Sequence, residues 1–467
     1  MARKALLALM AATCLLGRGF AHGAGQVVAQ ADTEHDFARF RAETGLTGQG
    51  VTVAVFGYAF YGYEAALAQG ELPVITFKYR NDAHQVSLGT RLAEIVHDIA
   101  PGASIQGYTM LNPASELYAD LGEQYWDGSA DIALIPDRTY VWPTFANTHP
   151  SIAAIEKVIA DGTLVVTSAD DNRLTHYRGT FQDAGNGFHD FGGGVTAMPI
   201  EVPDQCSNTG GMLIWGDDYA STVYSEYFLY LYDPNMNVLE IGDSSGGPMA
   251  SVGENNKPAG LYYLGIWKDA SSPVRIIDLY VSPCSLLGPA DVQIPSLGQS
   301  FVPEFSISGI GAVSGALAVA ALDRGSPEPE PAGGRLFGPR GYSGEGPARL
   351  LTDALVERIS PHVAATDCQS TFTAPGYQCG SAAAAAVIAG AAALLQEHYR
   401  LDRPADLADV LERSALDIPS TGVGYDNRTG NGQVDIWTAY HGGTQVPALS
   451  WTGLLALLGG AWITRRR

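Results

Sequence analysis

Positive charge is scarce in this sequence. Its 467 residues carry 27 Lys and Arg against 49 Asp and Glu, a formal net charge of −22. That excludes a basic nucleic-acid-binding surface as a property of the whole protein. Charge of either sign is sparse, at 16% of residues, which excludes a coiled coil and a highly charged disordered chain. There are five cysteines, and neither C-x-x-C nor H-E-x-x-H occurs, so no spacing points to a metal site. No cofactor and no metal are expected. What is plentiful is glycine (55), tyrosine (22) and hydrophobic residues (46%). That profile suits a turn-rich α/β or β protein with one large core and a second globular unit.

Both ends read as targeting segments. Arg3 and Lys4 precede an apolar stretch and then small residues, the pattern of an export signal. Cleavage sites lie after Gly23 or after Ala31, and the boundary is taken as 1–31. At the other end, Val446-Pro447 precedes an apolar run over 448–463, closed by Arg465, Arg466 and Arg467. Such a run is short for a membrane span and suits a thin bilayer, with the arginines on the cytoplasmic side. The tail resembles the tripartite sorting tails of Gram-negative bacteria of the PEP-CTERM and IPTL-CTERM types; the alternative is a plain anchor. An exported protein of the cell envelope, surface or medium is expected, touching membrane through this tail. Four cysteines remain after export, an even number for an oxidising compartment. Cys206 and Cys284 flank a β-rich segment, and Cys368 and Cys379 enclose a short loop. These pairs are the expected disulfides among three connectivities.

Between the ends, Val51-Thr52-Val53-Ala54-Val55-Phe56 is a near-continuous apolar run, as in a buried parallel strand. Strands at 103–108, 131–135 and 163–168 alternate with helices at 89–99 and 152–160, which predicts a parallel sheet covered on both faces. From about 172 to 283 short alternating strands replace helices, at 212–215, 227–232, 261–267 and 274–280. They predict an antiparallel, jelly-roll-like β-sandwich. A Pro/Gly-rich loop over 325–347 and an Ala-rich helix over 382–399 follow. The expected units are 32–198 and 291–442 for a split α/β domain, 199–290 for the sandwich and 443–467 for the tail.

Eight landmarks, in order, resemble those of subtilisin-like serine peptidases, the subtilases. Gly48 to Phe56 resembles G-x-G-V-x-V-A-V-I, the strand that ends in the catalytic Asp. Gly89-Thr90, its helix and Ala100-Pro101-Gly102-Ala103 resemble H-G-T-x-V-A-G-I-V-x-x-x-A-P-G-A. Asp127 to Ile132 resembles the G-A-D-V strand, and Ile155 to Ala169 the segment before the oxyanion-hole Asn. Phe337-Gly338-Pro339-Arg340-Gly341 resembles F-S-S-R-G, and Ser360 to Ala364 resembles K-P-D-I-V-A-P. Gly380 to Leu395 resembles G-T-S-x-A-A-P-x-V-A-G-x-A-A-L-L, and Gly430 to Asp435 the closing T-G-x-G-x-V-D. His176 to Phe191 and Phe228 to Tyr232 also resemble segments inserted in some secreted subtilases. The resemblance implies a three-layer α/β fold.

The chemistry that the resemblance would supply is missing. A subtilase uses Asp, His and Ser, with an Asn donor for the oxyanion. The matching positions are Gly57, Leu88 and Ala382, and Asp171 stands at the oxyanion position with Asn172 beside it. The substrate strand is likewise lost at Leu134-Ile135-Pro136-Asp137. A relocated triad would have to draw on Ser381, His84 or His97, and Asp82 or Asp98, for which solvent-facing charge is the plainer account of the acids. The leading expectation is a non-catalytic, exported pseudopeptidase that binds a protein, peptide or glycan. The alternatives are a diverged serine endopeptidase with relocated groups and a structural surface component. Tyr58, Phe60, Tyr61 and Tyr63, after the lost Asp, either present rings at the cleft mouth or pack within their loop.

Overall fold

The structure is a computed structural model. It describes residues 27–82, 85–110, 126–136, 150–202, 209–282 without 219, 222, 245–246 and 255–256, then 302–329, 335–350, 356–374 and 377–442. Its helices are α1 (Ala31–Glu34), α2 (Phe37–Thr44), α3 (Tyr63–Gln69), α4 (Leu88–Ile99), α5 (Pro150–Ala160), α6 (Ser381–Tyr399), α7 (Pro404–Ser414) and α8 (Ile436–Tyr440).

Strands β1 (Thr52–Gly57), β2 (Thr76–Tyr79), β3 (Ser104–Thr109), β4 (Ile132–Leu134) and β5 (Leu164–Ser168) form one parallel sheet in the order β2-β3-β1-β4-β5. The four strand positions expected between 51 and 168 therefore share one parallel sheet. Alternation along β1 explains the layering. Val53 and Val55 enter one core with Leu92 and Ile95 of α4 and Val387 and Leu394 of α6. Ala54 and Phe56 enter the opposite core with Ile152, Ile155 and Val158 of α5. Two cores on the two faces of a sheet make a three-layer α/β unit.

Helix α6 runs through the middle of the first core, buried from Ser381 to Leu395. Alanine makes this feasible, because it favours helix and has little bulk to exclude neighbours. At Gly390 the approach is close: a Cβ there would lie 2.8 Å from the Ile99 Cβ of α4.

The chain then leaves this unit for eight strands. They are β6 (His176–Thr180), β7 (Met198–Val202), β8 (Thr209–Trp215), β9 (Tyr227–Tyr232), β10 (Val238–Gly242), β11 (Met249–Glu254), β12 (Gly260–Lys268) and β13 (Ile276–Ser282). Two four-stranded antiparallel sheets result, β11-β8-β13-β6 and β10-β9-β12-β7. Successive strands alternate between the sheets except at the β9–β10 hairpin, which is the jelly-roll path. Trp215, Tyr227, Leu231 and Ile266 are among the side chains filling the space between them. The sandwich begins at His176, earlier than the expected boundary at 199. Its first strand, His-Tyr-Arg-Gly-Thr, has too little apolar content to announce itself. The β11-β8-β13-β6 sheet faces the α/β unit: His176 Nδ1 lies 2.8 Å from Val302 O, Val281 N donates to Thr175 O, and the Arg178 guanidinium sits over the Phe305 ring.

The chain returns through β14 (Leu317–Glu328), which extends the main sheet parallel to β5. Strand β15 (Leu336–Pro339) pairs antiparallel with β14, so the stretch over 325–347 expected as loop carries a hairpin. Strands β16 (Ala348–Leu350) and β17 (Val356–Arg358) pair with each other, and β18 (Val363–Thr366) lies parallel to β14. Cys368 and Cys379 form a disulfide. Cys206 and Cys284 lie outside the described residues.

The segment 27–35 is built into the domain. Ala29 and Ala31 are fully buried, with Ala29 N donating to Asp98 Oδ2 (2.7 Å) and Ala31 N to Gln369 Oε1 (2.8 Å). A signal boundary after Ala31 would cut through this packed segment. The first 26 residues and the tail from 443 lie outside the described residues. Among the described residues no helix is long and apolar enough to cross a membrane.

Candidate functional site

Strand β1 has β3 on one side and β4 on the other, so its C-terminal end lies where the chain's winding reverses, the usual ligand position in open α/β sheets. Gly57 ends this strand, and its carbonyl accepts from Met110 N (2.7 Å). Leu88 opens α4 directly beside it. The spacing is extreme: a Cβ added to Gly57 would lie 2.3 Å from the Gly89 Cα, 2.6 Å from the Gly89 N and 3.6 Å from the Leu88 carbonyl carbon. Gly89 N donates to Ala59 O (2.9 Å), and the Phe60 ring edge fills the place that a Gly89 Cβ would take, 2.7 Å away. Strand end and helix start are thus in backbone contact, with no space for a side chain between them. Gly57 and Leu88 are brought together; both are buried.

Ala382 lies one residue inside the N-terminus of α6 and is 1% exposed, as is Ser381. It belongs to the same hydrophobic core as Leu88. Unpaired N–H groups at a helix start and the helix dipole favour anions. Here two carboxylates of the protein itself are seated there. Ser381 N donates to Asp171 Oδ1 (2.9 Å), and Gly380 N donates to Asp367 Oδ2 (3.1 Å). Asp171 therefore does reach the start of α6, but as an acceptor, where stabilising an oxyanion would require a donor.

Asp367 was not singled out by the sequence. It is completely buried, and Arg340 Nε donates to its Oδ1 (2.7 Å) while the Tyr342 hydroxyl donates to Oδ2. Arg340 also reaches Asp323 (3.0 Å) and Cys368 Sγ (3.1 Å). Burial, with Asp367 and Asp171 adding to it, pushes the Tyr342 phenol well above its ordinary value, so it stays a neutral donor. Only Arg340, in the Phe-Gly-Pro-Arg-Gly landmark, gave a signal in the sequence. Asp367, Cys368 and Cys379 are the one set whose ligand atoms cluster closely enough for a metal among the described residues. Both sulfurs are committed to the disulfide, so the set offers no thiolate.

The acids weighed for a relocated triad are occupied elsewhere. Asp82 accepts from Phe60 N (2.8 Å) and pairs with Arg80. Asp98 is 2% exposed and accepts from Ala29 N of the segment 27–35, and His97 is 5% exposed. Solvent-facing charge is thus the wrong account for Asp98. His84, Pro136's neighbour Asp137 and the rest of that lost substrate strand beyond 136 lie outside the described residues. Phe60 and Tyr63 pack inward, edge-on against Phe77, and only Tyr61 of the loop is well exposed (49%).

No protein-family profile matches the chain, and no curated protein sequence does. Solved structures do. The CspB protease of Clostridium perfringens superposes with a TM-score of 0.52 at 13% identity, over 88% of this chain and 96% of that one. The fold is subtilisin-like. Subtilisin-like proteases MycP1 (14% identity; 90% and 99% covered; TM-score 0.40) and PagA, the prenylagaramide maturation protease (11%; 87% and 98%; 0.42), also match. The chain joins a parallel-stranded α/β unit and an antiparallel sandwich in one protein.

Proposed function

We propose that this protein is an exported pseudopeptidase: it keeps the subtilisin-like scaffold, lacks the Asp, His and Ser at Gly57, Leu88 and Ala382, and serves as a binding or envelope protein. The carrying observation is the backbone contact of Gly57 with Gly89, which leaves no room for the carboxylate that would orient a histidine. Asp171 on the start of α6 supports the same reading, because a tetrahedral oxyanion arriving there would meet a carboxylate. A structure-wide role as a surface component fits the same observations. A diverged endopeptidase draws less support, since Ser381 is buried with its N–H bound to Asp171.

Export and sorting belong to this proposal. The built-in segment 27–35 favours signal cleavage after Gly23, which leaves that segment intact. The apolar tail then holds the protein at the envelope of a Gram-negative-type cell. The test is hydrolysis of casein and of short peptide substrates by the purified protein and its Ser381→Ala variant. Equal, background-level rates are expected. Turnover by the parent that Ser381→Ala abolishes would overturn the proposal.

A further inference from the structure

We infer that the outer face of the β10-β9-β12-β7 sheet is a binding platform for a neutral polysaccharide. This goes beyond the reading above, because it rests on the sandwich alone and holds whatever the cleft does.

The sheet's two faces differ in chemistry. Inward, Tyr227, Leu229, Leu231, Leu264 and Ile266 are buried between the sheets. Outward, the alternate positions of β9 are Phe228, Tyr230 and Tyr232, and those of β12 include Tyr263 and Trp267. Register sets them side by side: Tyr232 pairs with Tyr263, and Phe228 with Trp267. The Tyr230 and Tyr232 rings lie 5.9 Å apart and only 13° from parallel, Phe228 sits 5.4 Å from Trp267, and Phe188 closes the patch 5.4 Å from Tyr230. Val238 (49%) and Ile241 (50%) extend it along β10. The opposite sheet is the one that meets the α/β unit, so this face looks away from it.

Its polar groups choose among ligands. The inward tyrosines are satisfied: Tyr227 donates to Pro273 O (2.9 Å) and Tyr262 to Pro258 O (3.2 Å). The outward hydroxyls of Tyr230, Tyr232 and Tyr263 make no hydrogen bond within the described residues. Half-buried ring faces flanked by free hydroxyls match a pyranose, which presents a C–H face to stack and hydroxyls to pair. A wholly apolar partner would leave those hydroxyls without partners. Charge narrows the class further. None of the outward positions named is Lys or Arg, and Glu201 stands at the β7 edge, exposed. In a chain of net charge −22, such a face repels nucleic acid and acidic polymers and admits an uncharged chain.

The test uses the full disulfide-bonded protein. Retention on microcrystalline cellulose and on chitin, and retardation in gels containing soluble neutral β-glucan, are compared with alginate and heparin. Binding to at least one neutral polysaccharide is expected. Tyr232→Ala and Trp267→Ala should weaken it about tenfold or more, as loss of a central aromatic anchor does. The paired change Tyr232→Phe with Tyr263→Phe keeps both rings and should still weaken binding several-fold, which guards against misfolding of the alanine variants. Binding to none of the neutral polymers, binding confined to alginate or heparin, or binding untouched by the phenylalanine pair would each overturn the inference. Retention is read separately from casein hydrolysis, so either result can fail alone.

Discussion

Replacing Gly57 by alanine adds one methyl group where the end of β1 meets the start of α4. The new carbon would lie 2.3 Å from the Gly89 Cα, against an ordinary separation of about 3.5–4.0 Å. Strand end and helix start must part by about 1 Å or more. Both partners are backbone, so no rotamer change relieves the overlap. The move would also strain the Gly89 N–H bond to Ala59 O and the seat of the Phe60 ring. Overpacking a well-filled core costs about 1–3 kcal/mol, and backbone against backbone belongs at or above the upper end. A loss of about 3 kcal/mol is expected, read as a lower urea midpoint with unchanged slope. Gly216→Ala is the control: nothing lies within 4 Å of a Cβ there, and its backbone has no positive φ. If Gly57→Ala unfolds within about 0.5 kcal/mol of the parent, the packing argument against a catalytic aspartate is wrong.

Other expectations follow from the same structure. The rebuilt chain Gly57→Asp, Leu88→His, Ala382→Ser and Asp171→Asn should remain inactive towards peptides and melt below the parent, because restoring the oxyanion donor does not make room at residue 57. Burial holds His35, His189 and His362 down at about 4 from 6.5. Their contribution, on the order of 3 kcal/mol each at most, is present above pH 6.5 and lost as the pH falls towards 4; His362→Asn, which keeps an acceptor for Ala318 N, should flatten that acid limb in urea titrations. Burial raises Glu412 to about 7 and also raises Glu94 and Asp98, so their contribution is complete below about pH 4 and lost as the pH rises; Glu412→Gln should therefore gain on the parent at pH 8 relative to pH 5. Peptide mapping without reductant should find Cys368 joined to Cys379 and Cys206 to Cys284, and a crossed pair would refute the assignment. Intact-mass analysis of the exported protein should place its first residue at Ala24, and deletion from Val446 onward should release it from the envelope fraction into the medium.

Much of the α/β unit was legible because its strands are buried on both faces. Val51 to Phe56 is apolar throughout, and an unbroken apolar run needs no period to be seen. The sandwich was only half legible. Tyr227–Tyr232 alternates large aromatics, whereas Met198–Val202, Val238–Gly242 and Met249–Glu254 mix Pro, Gly, Glu and Ser into strands of five or six residues. The contact of Gly57 with Leu88 could be anticipated from landmark order. The same landmarks placed Asp171 at the start of α6, but Asp367 could not be anticipated there, since it is far from Asp171 and Arg340 in sequence and no spacing joins them. Asp98 was misjudged for a definite reason: the segment that binds it, 27–35, overlaps the stretch assigned to the export signal.

The central claim is that the scaffold persists without a nucleophile. A fluorophosphonate probe tests it most directly, because it reacts only with a serine whose base and oxyanion donors are in place. The purified, folded protein should take up no probe at pH 7.5 under conditions that label a control serine peptidase fully. Stoichiometric modification mapped to Ser381, and absent from Ser381→Ala, would contradict the account.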